Sequence, residues 1–315
     1  MRCTIFRYVF GAVALLTAAA PGVEGQRRDR DRDEYAAEID TLIAFARTGT
    51  VELQLTSGEI IVSSWSREQV RVRATSERSA LRLDVSSAHL SLGLRSGSPR
   101  SGETRFEVTV PVGARVRATT TSGDIRISGT KADVEARTQR GDIAVEDVGR
   151  IDLNAFSGDV EGTSVAGDVR INVMSGDVRV RGATGEIEVK TVSGEVDVRD
   201  ARARFVRLGS TSGDLTYDGT IDPTGRYELE THSGDVELTL PTNVGANMIV
   251  STFSGTVESD LDMTLVPGPQ GDGKELRLTI GRAGAQARIT AKSFSGDINI
   301  RSRGAPPGRN DGDRE

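Results

Sequence analysis

Cysteine is all but missing: the one copy, Cys3, sits ahead of the first apolar run. That position rules out a disulfide framework, a thiolate nucleophile and a Cys-based metal site in any exported form of the chain. Aromatic residues make up only 4% of 315 residues, and the two histidines, His89 and His232, lie far apart. An ordinary globular enzyme core is poorly served by such a composition. There is no Gly-x-Ser-x-Gly elbow and no His-Glu-x-x-His pair, the usual carriers of acyl-transfer and zinc chemistry. Charges of either sign do not form blocks, and 40 basic against 46 acidic residues leave a net charge of -6. Without a basic stripe, nucleic acid is not an expected partner.

Long apolar stretches are equally scarce, the run Val9–Ala20 being the clearest. With Arg2 and Arg7 before it and the small-residue exit Val23-Glu24-Gly25 after it, residues 1–25 read as a secretory signal peptide, too short for a membrane span. Cleavage after Gly25 leaves a net charge of about -7 by residue count and no cysteine. The mature chain is then exported to the periplasm, the outer surface or the medium, with no membrane span of its own. Residues 26–48 begin with the mixed-charge run Gln26–Glu34 and are expected to be a flexible leader, with a short helix near Tyr35–Ile39 as an option.

What the chain does have is glycine, 36 residues of it, and much of it is periodic. A phrase Thr-x-Ser-Gly-Asp-Val-x-Val centres on Gly123, Gly141, Gly158, Gly176, Gly194, Gly213, Gly234, Gly255 and Gly296, in steps of 18, 17, 18, 18, 19, 21, 21 and 41. A fixed period of this size marks a solenoid, in which each coil buries its apolar face only by stacking on its neighbours. After each glycine, alternate positions are apolar, as in Ile143/Val145 and Val178/Val180; before it a second alternating run appears, as in Val134/Ala136 and Val169/Ile171. Period two with β-branched residues is strand chemistry. The expected fold is therefore all-β, a parallel β-solenoid (β-helix or β-roll-like) of about 18–21 residues per coil over residues 113–301. Two strand-and-corner units per coil are favoured over three six-residue sides.

Residues 49–112 hold an early corner copy, Ser57-Gly58-Glu59, and less regular strands, and are expected to form a strand-rich N-terminal cap over the first coil. Two stretches echo each other: Val108-Thr-Val-Pro-Val-Gly-Ala114 and Leu238-Thr-Leu-Pro-Thr-Asn-Val-Gly-Ala246. In each, proline ends a strand and Gly-Ala restarts one. The double step after Gly255 contains Pro267–Gly273, read as an insertion loop, and residues 302–315 read as a disordered tail. Together, the exported N-terminus, the strand pair ending in Trp65, the Val-Pro-Val-Gly-Ala bridge and the serial Ser-Gly-Asp-Val corners resemble a bacterial domain family of unknown function described as candidate adhesins. The resemblance spans about residues 40–301. It implies a surface-interaction role and supplies no catalytic residues.

Three columns stand out as possible sites. The acids Asp124, Asp142, Asp159, Asp177, Glu195, Asp214, Asp235 and Asp297 could attract calcium, but the paired-glycine nonapeptide of calcium-binding rolls is missing, and turn capping by each Asp is the expected role. A charged column, from Arg117 and Glu135 to Arg207 and Glu228, mostly alternates in sign and favours register. The column before the corner serine contains Phe156, Met174, Val192, His232, Phe253 and Phe294. It should point outward as an apolar ridge, the preferred candidate for contact with a protein or glycan surface ligand. Arg140-Gly141-Asp142 matches an integrin-binding tripeptide but occupies a regular corner. No cofactor is expected. The sequence thus points to an exported, non-enzymatic adhesin or envelope scaffold. Its rivals are a glycan-acting β-helix enzyme and a structural envelope-stress component without a dedicated ligand.

Overall fold

Alternation fixes the elements, and the corner glycines fix where they bend. The computed structural model describes residues 37–95, 102–242, 244–265, 275–281 and 286–303. The signal-peptide reading, Cys3, the insertion loop Pro267–Gly273 and residues 304–315 lie outside them. Among the described residues there is no helix; all regular structure is strand.

Six strands open the fold: β1 (Ala37–Ala44), β2 (Thr50–Trp65), β3 (Gln69–Ser76), β4 (Leu81–Val85), β5 (His89–Leu94) and β6 (Thr104–Pro111). β7 (Arg115–Ser128) and β2 each run through a corner and serve both sides of a coil. Paired strands then make one coil each: β8 (Val134–Arg140) with β9 (Ile143–Val148), β10 (Ile151–Ser157) with β11 (Val160–Val165), β12 (Val169–Ser175) with β13 (Val178–Arg181), and β14 (Ile187–Ser193) with β15 (Val196–Ala201). β16 (Phe205–Ser212) with β17 (Leu215–Gly219), and β18 (Arg226–Ser233) with β19 (Val236–Leu240), follow. The C-terminal region has β20 (Ala246–Ser254), β21 (Val257–Ser259), β22 (Met263–Leu265), β23 (Glu275–Ile280), β24 (Ala287–Ser295) and β25 (Ile298–Ser302).

These strands stack as two parallel ladders, so each coil has two strand sides. One ladder runs β5-β2-β7-β8-β10-β12-β14-β16-β18-β24-β20. The other runs β6-β2-β7-β9-β11-β13-β15-β17-β19-β25-β21. Register follows the repeat: Val160 pairs with Ile143 on one side and Val178 on the other. The aliphatic columns from both ladders form one buried core. Gly176 shows why the corner demands glycine. Its φ is +139°, and a Cβ there would overlap the carbonyl oxygen of Gly158 in the coil below, a conformation and an approach open only to glycine.

Coil order in space departs from coil order in sequence at both ends. β5 and β6 lie on the far side of β2, so the coil of residues 50–65 is held between β5/β6 and β7. Likewise β24 and β25 sit between β18/β19 and β20/β21. The two echoed proline stretches are the steps that make this possible. Each carries the chain past an intervening rung, as the Val112 N–H donating to the Trp65 carbonyl (2.9 Å) and Arg115 N–H to the Gly49 carbonyl (2.9 Å) show for the first. The expectation of plain stacking in chain order is corrected here. The repeat phrase recurs in coil after coil, so no local pattern says which two coils touch.

A second correction concerns residues 37–44. In place of a leader or helix, they form β1, antiparallel to β3. Ile39 and Ile43 pack against the core, and Asp40 receives two hydrogen bonds from Arg71, at 3.1 and 3.0 Å. Antiparallel strands thus cover both ladders at the N-terminal end, β4 on β5 and β3 with β1 on β6, and the first ladder at the C-terminal end, β23 with β22 on β20. Such pairing reduces the open parallel edge available for aggregation.

Candidate functional site

The corner between the two ladders carries three adjacent rows, and each coil adds one member to each. The acid row turns out to be built into the stack. Asp159 Oδ1 accepts the backbone N–H of Asp177 at 2.9 Å, and Asp177 Oδ1 accepts that of Glu195 at 3.1 Å. The same bond links Asp124 to Asp142, Asp142 to Asp159, Asp214 to Asp235 and Asp235 to Asp297. Each aspartate of the row therefore caps the corner of the next coil, where the sequence suggested its own turn. At the end of the row Asp297 takes the Thr256 N–H (2.7 Å) and hydroxyl (3.0 Å), which hold its carboxyl below the usual carboxylate range. Because the folded value is the lower one, this contribution is complete above the unfolded carboxylate value and is lost as pH falls through the folded one. Among the described residues, no group of three or more His, Cys, Asp or Glu is placed to hold a metal ion.

Removing one rung of this ladder should be measurable and modest. Asp177→Ala leaves the Glu195 N–H without its acceptor and should cost about 1 kcal/mol, a fall of roughly 2–4 °C in melting temperature for a chain of this size. Asp177→Asn, which keeps an acceptor oxygen, should lose less. Equal melting of the alanine variant and the parent by calorimetry would remove the ladder from the account of stability.

On the inner side of the corner lies a row of hydroxyls that the sequence analysis does not single out. The Oγ1 of Thr231 donates to the Gly213 carbonyl (3.1 Å), Ser293 Oγ to Gly234 (2.9 Å) and Thr252 Oγ1 to Gly296 (2.9 Å). These hydroxyls satisfy carbonyls of the corner glycines one coil away. The recurring Thr of the repeat phrase was the available signal.

The third row is the ridge, and it points outward. Phe253 is 64% exposed, Phe156 58%, Phe294 49%, Met174 47% and Val192 46%; His232 is exposed as well. Their positions follow from alternation, since each comes directly after an inward Thr, Ala, Val or Ser of its strand. The swapped coil order decides which rings meet. Because β24 lies between β18 and β20, Phe294 falls between His232 and Phe253. Its centroid is 4.8 Å from His232 with the planes 11° apart, and 4.9 Å from Phe253 with the planes 4° apart. Sequence order would have put Phe253 beside His232. Phe156, Met174 and Val192 occupy three successive coils, and Thr211 stands between this triplet and the stacked rings.

The remaining candidates resolve into architecture. Arg117 pairs with Glu135 (3.0 Å), Arg170 with Glu188 (3.5 Å) and Arg207 with Glu228 (2.7 Å), each between neighbouring coils. Exposed pairs of this kind contribute little individually, about 0–1 kcal/mol, and act mainly on register. Arg140-Gly141-Asp142 is a regular corner, with Gly141 at φ +124° and Asp142 engaged in the acid ladder. His89 lies 4.0 Å from Glu52 on the outer face of the first ladder, away from His232. No helix among the described residues is long and apolar enough to cross a membrane.

Residues 128–301 match the family Toastrack DUF4097. No curated protein matches the chain. Similar solved structures include a candidate adhesin from Bacteroides fragilis, 13% identical with a TM-score of 0.39, covering 84% of this chain and 97% of that one. A candidate adhesin from Parabacteroides distasonis is 10% identical with a TM-score of 0.33, covering 86% and 98%. A candidate cell adhesion protein from Clostridium sporogenes is 11% identical with a TM-score of 0.23, covering 84% and 100%.

Proposed function

This chain belongs to the Toastrack family of domains of unknown function, DUF4097, and from that fold we propose that it is an exported, non-enzymatic interaction protein whose corner ridge is its contact surface. The observation that carries the reading is the stack His232–Phe294–Phe253, three rings held parallel and open to solvent. Exposed apolar rows of this kind on a charged surface mark places where something binds. Their spacing is set by the rigid ladder beneath them, so the surface is preformed, which limits the ordering cost of association. Export rests on the N-terminal segment 1–25 and places the ridge where a protein or glycan of the cell envelope or its surroundings could meet it.

Five carboxyl groups are set for ion pairing and capping rather than for acid catalysis. Asp40, Glu188, Asp222, Glu228 and Asp297 are all held below their ordinary values by hydrogen bonds or by neighbouring Arg and Lys. A glycan-cleaving acid needs one carboxyl raised and set against an ionised partner. The corner aspartates recur from coil to coil and accept backbone N–H groups of the neighbouring coil.

Binding of the purified mature chain to envelope glycans and matrix proteins tests the reading. Saturable binding should weaken at least tenfold in Phe253→Ser plus Phe294→Ser, with melting unchanged because both rings are on the surface. Hydrolysis of any of those glycans by the parent chain would replace this reading with an enzymatic one.

A further inference from the structure

Resting on the ridge as the contact surface, we propose that its partner is a second copy of this chain, docked ridge to ridge with the two solenoids side by side and parallel. From Phe156 to Phe253 the ridge covers six steps between coils, about 29 Å at strand spacing. Six half-exposed side chains, several aromatic, offer roughly 500–600 Å² on each protomer. The total of about 1,100 Å² meets the lower bound for a specific interface.

The rows flanking the ridge select the orientation. On one side runs the acid row. On the other, two residues before each ridge member, is the outer row that includes Arg137, Asn154, Asn172, Lys190, Glu230 and Lys292. A two-fold axis along the solenoid keeps coils level and lays the acid row of one copy over this outer row of the other. Arg137 then faces Asp142, Lys190 faces Glu195, and Lys292 faces Asp297. The Asn154 and Asn172 amides face Asp159 and Asp177, donors toward acceptors. Glu230 against Asp235 is the one adverse level. A two-fold axis across the solenoid would instead lay acid row on acid row along the whole length. Complementary rows set orientation and partner choice, and a two-fold interface needs a self-complementary patch. In the parallel arrangement each ridge residue meets its own copy, Met174 against Met174.

Sedimentation of the full mature chain, with cross-linking, decides the matter. The parent should be a dimer at tens of micromolar, and Phe156→Ser plus Phe294→Ser should weaken dimerisation at least tenfold without lowering the melting temperature. Glu195→Lys should weaken it, and Glu195→Lys with Lys190→Glu should restore it. Met174→Cys should form a disulfide with its own copy under mild oxidation. A parent that stays monomeric, a dimer indifferent to the ridge variants, or a Met174→Cys chain that cross-links only when Phe294→Cys is added would each overturn the proposal. A monomer whose envelope binding still depends on Phe253 and Phe294 would leave the interaction reading standing; a monomer without such binding would end both.

Discussion

Val178→Asp should lower stability by several kcal/mol, roughly 3–5, and melting by about 10 °C or more. Val178 is fully buried and paired with Val160 below and Val196 above. Its inward neighbours are aliphatic, so an introduced carboxylate meets neither a cation nor a row of donors. The ladder also holds the strand from both sides, which blocks the rotation that would bring the new side chain to water. At the adjacent outward position, Arg179→Ala should stay within about 0.5 kcal/mol of the parent, as surface changes do. Calorimetry and urea unfolding on the two variants provide the check. Equal melting of the Val178→Asp chain and the parent would mean that this column does not face the interior.

The interior was the most legible part because aliphatic alternation has only one physical use. Ile143, Val160 and Val178 fall in line as the repeat implies, and the same holds for both strands of the coil. One apparent defect in the columns, Ser259, has a structural reason. The coil of β20 and β21 is the outermost one, where Ser259 and Glu258 are exposed and Val257 is only partly covered. The better aliphatic set, Ile289, Ala291, Ile298 and Ile300, belongs to the coil enclosed on both sides. At this end the coil with the complete columns is the enclosed one, a comparison between coils that no local pattern states. β1 was hidden for a different reason: the mixed-charge run Gln26–Glu34 masks an alternating segment only eight residues long. For the site, alternation placed the six ridge residues outward. The donors to the Asp row and the position of Phe294 depended on contacts between coils.

A chain ending at Gly281 should lose far more than its last strands. The deleted β24 and β25 fill the rung between β18/β19 and β20/β21, so their removal strips neighbours from both sides. Buried Ile289, Ile298 and Ile300 alone represent about 5 kcal/mol or more of lost apolar burial, and the carbonyl and amide groups of two ladders lose partners with them. Closing the gap by moving β20 against β18 would repair the first ladder but would set Ser259 against Leu238 in the second, in place of Ile300. Hydrogen exchange should therefore show protection lost across residues 246–259 and 275–280, weakened across 226–240, and retained in the coils from β7 to β15. The N-terminal end gives the reason for expecting the damage to stop there. The coil of β2 is enclosed in the same way, held between β5/β6 and β7, so unravelling from one end meets a clamped rung at the other. Native exchange protection at 246–259 in the shortened chain would show that the outer coil had re-stacked, and that enclosure of the final coil is not what holds this end of the solenoid together.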